Sequence, residues 1–286
     1  MSNTITEAFV EQYKSNVFHL AQQKGSRLRG AVKSETVTGT SHYFERIGAT
    51  AAQVRQGGRH SSTPQINTPH SRRKVTLADY DWADLIDQED KVRMLISPTS
   101  EYAKAGAYAM GRAMDDAIIA AASGNAFTGV AGATSSALPA GQKIAVGTTS
   151  LTVAKLIAAK EIIDAADVDP DETKYLVCSA KEITSLLGDD KVTSADFNSV
   201  KALVAGQIDS FMGFNFIRTE RIAAAGGDNL ALAFTQSALG LALGRDINTR
   251  ISERDDKNYA TQVFLSMTIG ATRVEDEKVV EIACNV

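Results

Sequence analysis

The chain has 286 residues, 44% of them hydrophobic and 22% charged, with a formal net charge of −4. That length supports one elaborated domain or two closely joined lobes with a real core, and the mild acidic balance excludes the basic excess that a phosphate-neutralising nucleic-acid binder carries. Two cysteines, Cys178 and Cys284, are too few for a disulfide framework and read as small buried hydrophobes, while no apolar run reaches the length of a membrane span or a signal-peptide core.

In chain order, Phe9, Tyr13, Val17 and Leu20 fall three or four apart on one face of an amphipathic helix, followed by Lys24, Arg27, Arg29 and Lys33. This segment is either a terminal helix folded on its own domain or an arm reaching a neighbouring molecule. Between Arg46 and Ala78 stand six basic residues, Arg46, Arg55, Arg59, Arg72, Arg73 and Lys74, and no acidic one. The flanks at 42–47 and 72–80 have strand character around a tip rich in Gly, Ser, Thr and Pro, which predicts a long two-stranded ribbon. A ribbon of that kind is marginal alone in water and calls for something to lie on. Residues 79–90 then reverse the sign, with Asp79, Asp81, Asp84, Asp87, Glu89 and Asp90 and no base. The two blocks either pair between copies of the chain or remain solvated and paired within one copy.

Ser97 and Pro98 are a helix-opening pair, and the sequence runs unbroken to Ser123 before Gly124. The predicted helix over 98–123 is roughly 39 Å long at 1.5 Å per residue. Its many alanines, with Gly106 and Gly111, leave a slim surface suited to close packing on a sheet, and Tyr102, Met110, Met114, Ile118 and Ile119 supply bulk. Residues 124–150 predict a loop or short hairpin. Helices follow at 151–166, at 180–187 behind a Ser179–Glu182 capping box, and at 197–204, alternating with strands at 175–178, 211–218 and 230–234. Strands at 248–252, 259–269 and 279–283 close the chain and are expected to return to the first lobe and pack on the long helix.

Catalytic and metal signatures are missing. His19, His42, His60 and His70 lack metal-pair spacing, neither cysteine sits in a CxxC unit, and no phosphate loop, dinucleotide fingerprint or nucleophile elbow is present. Asp115 and Asp116 diverge by about 100° on a helix, so they do not form a carboxylate pair, and a surface-charge or helix-contact role is expected. No catalytic residue, cofactor or metal is therefore expected.

The order of arm, basic ribbon, long slim helix, α/β lobe and returning strands resembles the HK97-like major capsid proteins of tailed double-stranded DNA bacteriophages. Residues 101–126, EYAKAGAYAMGRAMDDAIIAAASGNA, resemble the family's spine helix; 211–218, FMGFNFIR, resemble the strand of its axial lobe; 229–248, NLALAFTQSALGLALGRDIN, resemble its return; and TIGATRVEDEKVVEIAC resembles its terminal strands. These are soft packing patterns spread over nearly the whole chain.

The resemblance implies an α+β HK97-like fold with an N-terminal arm at 1–35, an E-loop at 36–80, a P-domain at 81–150 and 245–286, and an A-domain at 151–244. It implies a non-enzymatic subunit tiling hexamers and pentamers into an icosahedral virion shell around double-stranded DNA, assembled in the bacterial cytoplasm. The partners implied are copies of itself, a separate scaffolding protein unless a fused segment was removed, a portal and a decoration protein. Arg46, Arg55, Arg59, Arg72, Arg73 and Lys74, with Asp79, Asp81, Asp84 and Asp87, become candidate contacts between subunits. Some relatives weld subunits by Lys–Asn isopeptide bonds; Lys74, the sole E-loop lysine, sits at the ribbon's base, so that cross-link is not expected here. Two other readings are an encapsulin-like compartment enclosing a cargo enzyme, and an α/β enzyme with its site in the 151–244 lobe.

Overall fold

The computed structural model describes residues 22–55, 57, 59–61, 63, 65–87, 99–188, 210–222 and 228–285. The expected helices at 9–20 and 197–204, and the opening Ser97–Pro98 pair, lie outside the described residues. In chain order the strands are β1 (Lys33–Thr36), β2 (Ser41–Ile47), β3 (His70–Thr76), β4 (Ala78–Ile86), β5 (Ala126–Thr128), β6 (Thr134–Ser136), β7 (Lys143–Ile144), β8 (Lys174–Cys178), β9 (Ser210–Phe211), β10 (Phe214–Arg218), β11 (Asn229–Thr235), β12 (Leu239–Arg254), β13 (Ala260–Arg273) and β14 (Val279–Cys284). The α-helices are α1 (Thr99–Ser123), α2 (Val153–Asp164) and α3 (Ala180–Leu187). The chain divides into two compact units, one of Met1–Ser26, Asp79–Ala113 and Arg245–Thr268, the other of Arg27–Ala78, Met114–Gly244 and Ile269–Val286.

The second unit is built on a six-stranded sheet in the order β7-β14-β11-β8-β10-β9. β10 runs parallel to β8, whereas β11 runs antiparallel to both β8 and β14. Leu176, Cys178, Ala231, Ala233, Val280 and Ile282 alternate along β8, β11 and β14 and meet Leu156, Ala159 and Ile163 of α2 in one buried cluster. β14 thus belongs to the α/β lobe's sheet instead of returning to the long helix. Its Val-Val-Glu-Ile-Ala-Cys sequence buries four of six residues, which suits an inner strand. Thr152 Oγ1 accepts the Lys155 N–H at 3.4 Å to open α2. The expected capping start of α3 is present, with the Ser179 N–H donating to Glu182 Oε2 at 2.6 Å.

The same unit holds the ribbon. β2 and β3 pair antiparallel from Ser41 opposite Thr76 to Ile47 opposite His70, and the Gly48 N–H donates to Pro69 O at 2.9 Å across its mouth. The ribbon is not two-stranded as expected: the β5–β6 hairpin adds to the free edge of β3, with Lys74 opposite Phe127, giving the order β2-β3-β5-β6. The extra strands satisfy backbone groups that an isolated hairpin leaves to water. At its base Phe44 and Val75 bury against Val37 and Ala242. Gly240 makes that packing possible, since a Cβ there would lie 2.7–2.9 Å from the Phe44 ring.

In the first unit the N-terminal part of α1 lies with β4, the distal part of β12 and most of β13, in the strand order β12-β13-β4. Gly106 of α1 approaches so closely that a Cβ would fall 2.7 Å from both Leu265 and the Trp82 ring. This is the slim-helix packing the sequence predicted. Met110, Met114, Ile118 and Ala122 are buried four residues apart along α1.

Candidate functional site

The ten candidate contact residues separate into groups that differ in what already engages them. At the ribbon's base, Arg46 donates from Nε to Ser71 Oγ at 3.1 Å and from Nη1 to Val274 O at 2.8 Å. Arg73 is buried at 3% exposure and donates from Nη2 to Asp276 Oδ2 at 2.5 Å. Burial pulls the Arg73 pKa down, and the Asp276 carboxylate opposes that pull. Arg73 is thus engaged inside its own chain and does not stand on an exposed face. Arg72 stacks over the Tyr43 ring at 5.3 Å and stands opposite Glu45, and Lys74 is half-buried.

Farther out, Arg55 and Arg59 are exposed, with Arg55 Nε donating to Ser61 Oγ at 3.1 Å. In the same stretch of sequence, 47–66, Ile47, Val54 and Ile66 are 70%, 88% and 43% exposed. Among the described residues these apolar side chains are left largely uncovered by their own chain. On β4, Asp79, Asp81 and Asp84 are exposed, as is Asp87 just after it. Asp79 Oδ1 accepts the Thr268 hydroxyl at 2.6 Å. The exposed members of the set are therefore the ribbon's outer arginines and the aspartates of the acidic strand.

Sequence reasoning missed the group that fixes the ribbon's base, Arg273. Its side chain is fully buried and its guanidinium reaches three segments: Nη1 donates to Ala122 O at 3.1 Å and Gly124 O at 2.6 Å, Nη2 to Ser136 O at 3.0 Å, and Nε to Asp276 Oδ1 at 2.6 Å. The carbonyls at the C-terminal end of α1 lack helical partners and carry the negative end of its dipole, so a cation there satisfies both needs. Asp276 bridges Arg273 and Arg73, so one carboxylate joins the helix end, the hairpin and the ribbon. The available signal was a lone Arg at the end of an apolar strand, just before a charged turn.

Asp115 and Asp116 diverge as their spacing requires. Buried Asp115 accepts the backbone N–H groups of Arg27 and Leu28 at 3.0–3.2 Å, while Asp116 pairs with Arg221 through both carboxylate oxygens. Both are contacts that hold α1 to neighbouring chain. Burial pushes the Cys178 and Cys284 thiols up to about 12, so neither is a ready thiolate. Among the described residues no group of three or more His, Cys, Asp or Glu could hold a metal, and no helix is long and apolar enough to cross a membrane.

Solved structures similar to this chain include phage capsids. A capsid subunit of Ralstonia phage GP4 superposes with a TM-score of 0.75 at 13% identity, covering 100% of this chain and 98% of that one. The capsid of Cyanophage P-SCSP1u gives 0.73 at 18% identity, covering 100% and 96%, and a chain of Mycobacterium phage Che8 gives 0.70 at 17%, covering 95% and 96%. The chain matches no curated protein. The three sheets and the long helix thus form the HK97-like fold, and a model of the family described as phage capsid protein matches residues 5–286. The chain belongs to the phage capsid protein family.

Proposed function

We propose that this chain is the major shell subunit of a tailed phage, tiling hexamers and pentamers into an icosahedral capsid around double-stranded DNA. The observation that supports the reading is the end-to-end correspondence with capsid subunits, over 100% of this chain and 96–98% of theirs. In this reading 1–35 is the N-terminal arm, 36–80 the E-loop, 81–150 with 245–286 the P-domain and 151–244 the A-domain, with β14, from the end of the P-domain segment, completing the A-domain's sheet. A separate scaffolding protein and a portal direct assembly in the bacterial cytoplasm, a decoration protein binds the finished shell, and the DNA is held without sequence-specific contacts. The structural role involves no catalytic step.

Between subunits, Arg55 and Arg59, with Arg72 and Lys74 nearer the base, meet Asp79, Asp81, Asp84 and Asp87 of a neighbour, while Val54 and Ile66 bury against it. Each exposed pair contributes only about 0.2–1 kcal/mol, but every subunit repeats it. The test is electron microscopy of the chain co-expressed with its scaffold, beside an Arg55→Glu/Arg59→Glu variant and that variant combined with Asp81→Lys/Asp84→Lys. The expected result is uniform DNA-competent shells from the wild type, few from the first variant and recovery in the combined one. A wild type that stays a monomer or dimer with scaffold present refutes the shell reading; shells unaffected by the reversals refute the pairing alone.

A further inference from the structure

Strand β12 changes character halfway along. β1 covers its outer edge only from Gly240 to Leu243. From Gly244 to Glu253 every residue is exposed except half-buried Ile247, and no further strand of the described residues pairs along that edge. A long open edge is normally blunted by charged side chains, Lys above all, by Pro or by a bulge. The charges of this edge are of both signs, so they block a mismatched strand and admit one that places opposite signs together. Residues 245–254, RDINTRISER, contain neither Lys nor Pro, and Ile251 stands 54% exposed.

The order of residues names the occupant. If two copies of this edge run antiparallel about a two-fold axis at Thr249, Arg245 faces Glu253, Asp246 faces Ser252, Ile247 faces Ile251, Asn248 faces Arg250 and Thr249 faces itself. Each unlike pair occurs twice, so the ladder gains two ion pairs, two aliphatic pairs and a central Thr–Thr pair, all on one face. Slipping by one residue in one direction sets Arg245 against Arg254 and Asp246 against Glu253; in the other it sets Asp246 against Ile251 and Ile247 against Arg250. Slipping by two either opposes Arg250 to itself or sets Arg245 against Ile251. Arg245 and Glu253 are both exposed and make no ion pair within their own chain among the described residues.

We propose that residues 245–253 form a two-fold interface in which β12 of one copy pairs antiparallel with β12 of a second copy, in the register centred on Thr249. Such an interface is self-complementary, as a two-fold contact must be. Nine residues a side give a weak contact that acts through repetition. The inference rests on the shell reading for the place where two copies meet.

The full chain carrying Thr249→Cys, oxidised both as assembled particles and as free subunit, tests it on a non-reducing gel. A disulfide-linked dimer is expected for Thr249→Cys. It is not expected for Ile247→Cys, whose counterpart is Ile251, nor for wild type, whose two cysteines are buried. Arg245→Glu and Glu253→Arg should each lower particle yield at least tenfold, and the double variant should restore it. Particles of normal size in which Thr249→Cys stays monomeric overturn the pairing and leave the shell reading intact. Dimer in the free subunit supports the pairing even where no shell forms, and monomer in both states overturns it.

Discussion

Replacing Arg273 by alanine strands Asp276 with one cation and leaves the carbonyls of Ala122, Gly124 and Ser136 without their donor. Breaking a buried pair in this way costs about 3–5 kcal/mol, and Arg273→Lys should recover little of it, because one ammonium cannot span acceptors on three segments. Urea denaturation of the unassembled subunit measures both. That Asp115 and Asp116 diverge was legible in the sequence because helix geometry alone separates their faces; which of them is buried was not. Nor was the role of Arg273, since its acceptors come from helix, hairpin and turn segments that only folding brings together.

Helix α3 illustrates the same contrast one level up. Its start was legible from Ser179 and Glu182, because a capping box is local chemistry. What the sequence does not reveal is that Glu182 is 1% exposed and that its Oε1 has no hydrogen-bond partner. Burial raises its pKa above the ordinary 4.5, the Ser179 hydrogen bonds oppose the rise, and the Glu220 charge adds to it. A carboxyl raised on folding favours the folded state when protonated: its contribution is full below the unfolded value near 4.5 and is lost as pH rises through the folded value. Glu182→Gln keeps an acceptor for the Ser179 N–H and removes the buried charge. It should therefore raise the urea midpoint above that of wild type at about pH 8, with the difference closing toward about pH 4. Other elements were legible in proportion to their length. α1 was read through its alanines, and a short hairpin was one of the two readings for 124–150; β5 and β6, of three residues each, carry no periodicity that shows where they pair, so their addition to β3, which makes the ribbon four-stranded, was not legible.

At the scale of the whole molecule, the charged groups serve two ends. Arg73, Arg273 and Asp276 are sequestered within the fold, whereas Arg55, Arg59 and the β4 aspartates face outward. The basic and acidic blocks were plain in the sequence, but Arg73 and Arg55 looked alike there, because burial depends on which residues oppose them. Salt should tell the two sets apart. The screening length falls from about 10 Å at 0.1 M to about 3 Å at 1 M, so added NaCl should slow particle formation, followed by light scattering, while barely moving the subunit's urea midpoint. Assembly indifferent to salt would mean that the apolar contacts, not the arginines, set its rate.

The hydrogen bond from Gly48 to Pro69 has a consequence for engineering. It fixes the two ends of the 20-residue segment 49–68 side by side, so the fold registers only that the gap is bridged. Doubling a closed loop costs about 0.6 kcal/mol in chain entropy, so a foreign peptide of similar length could be spliced there with the subunit's own fold nearly undisturbed. The burden would fall on the lattice instead, which makes this segment a place where the ability to fold and the ability to build a particle can be altered one without the other.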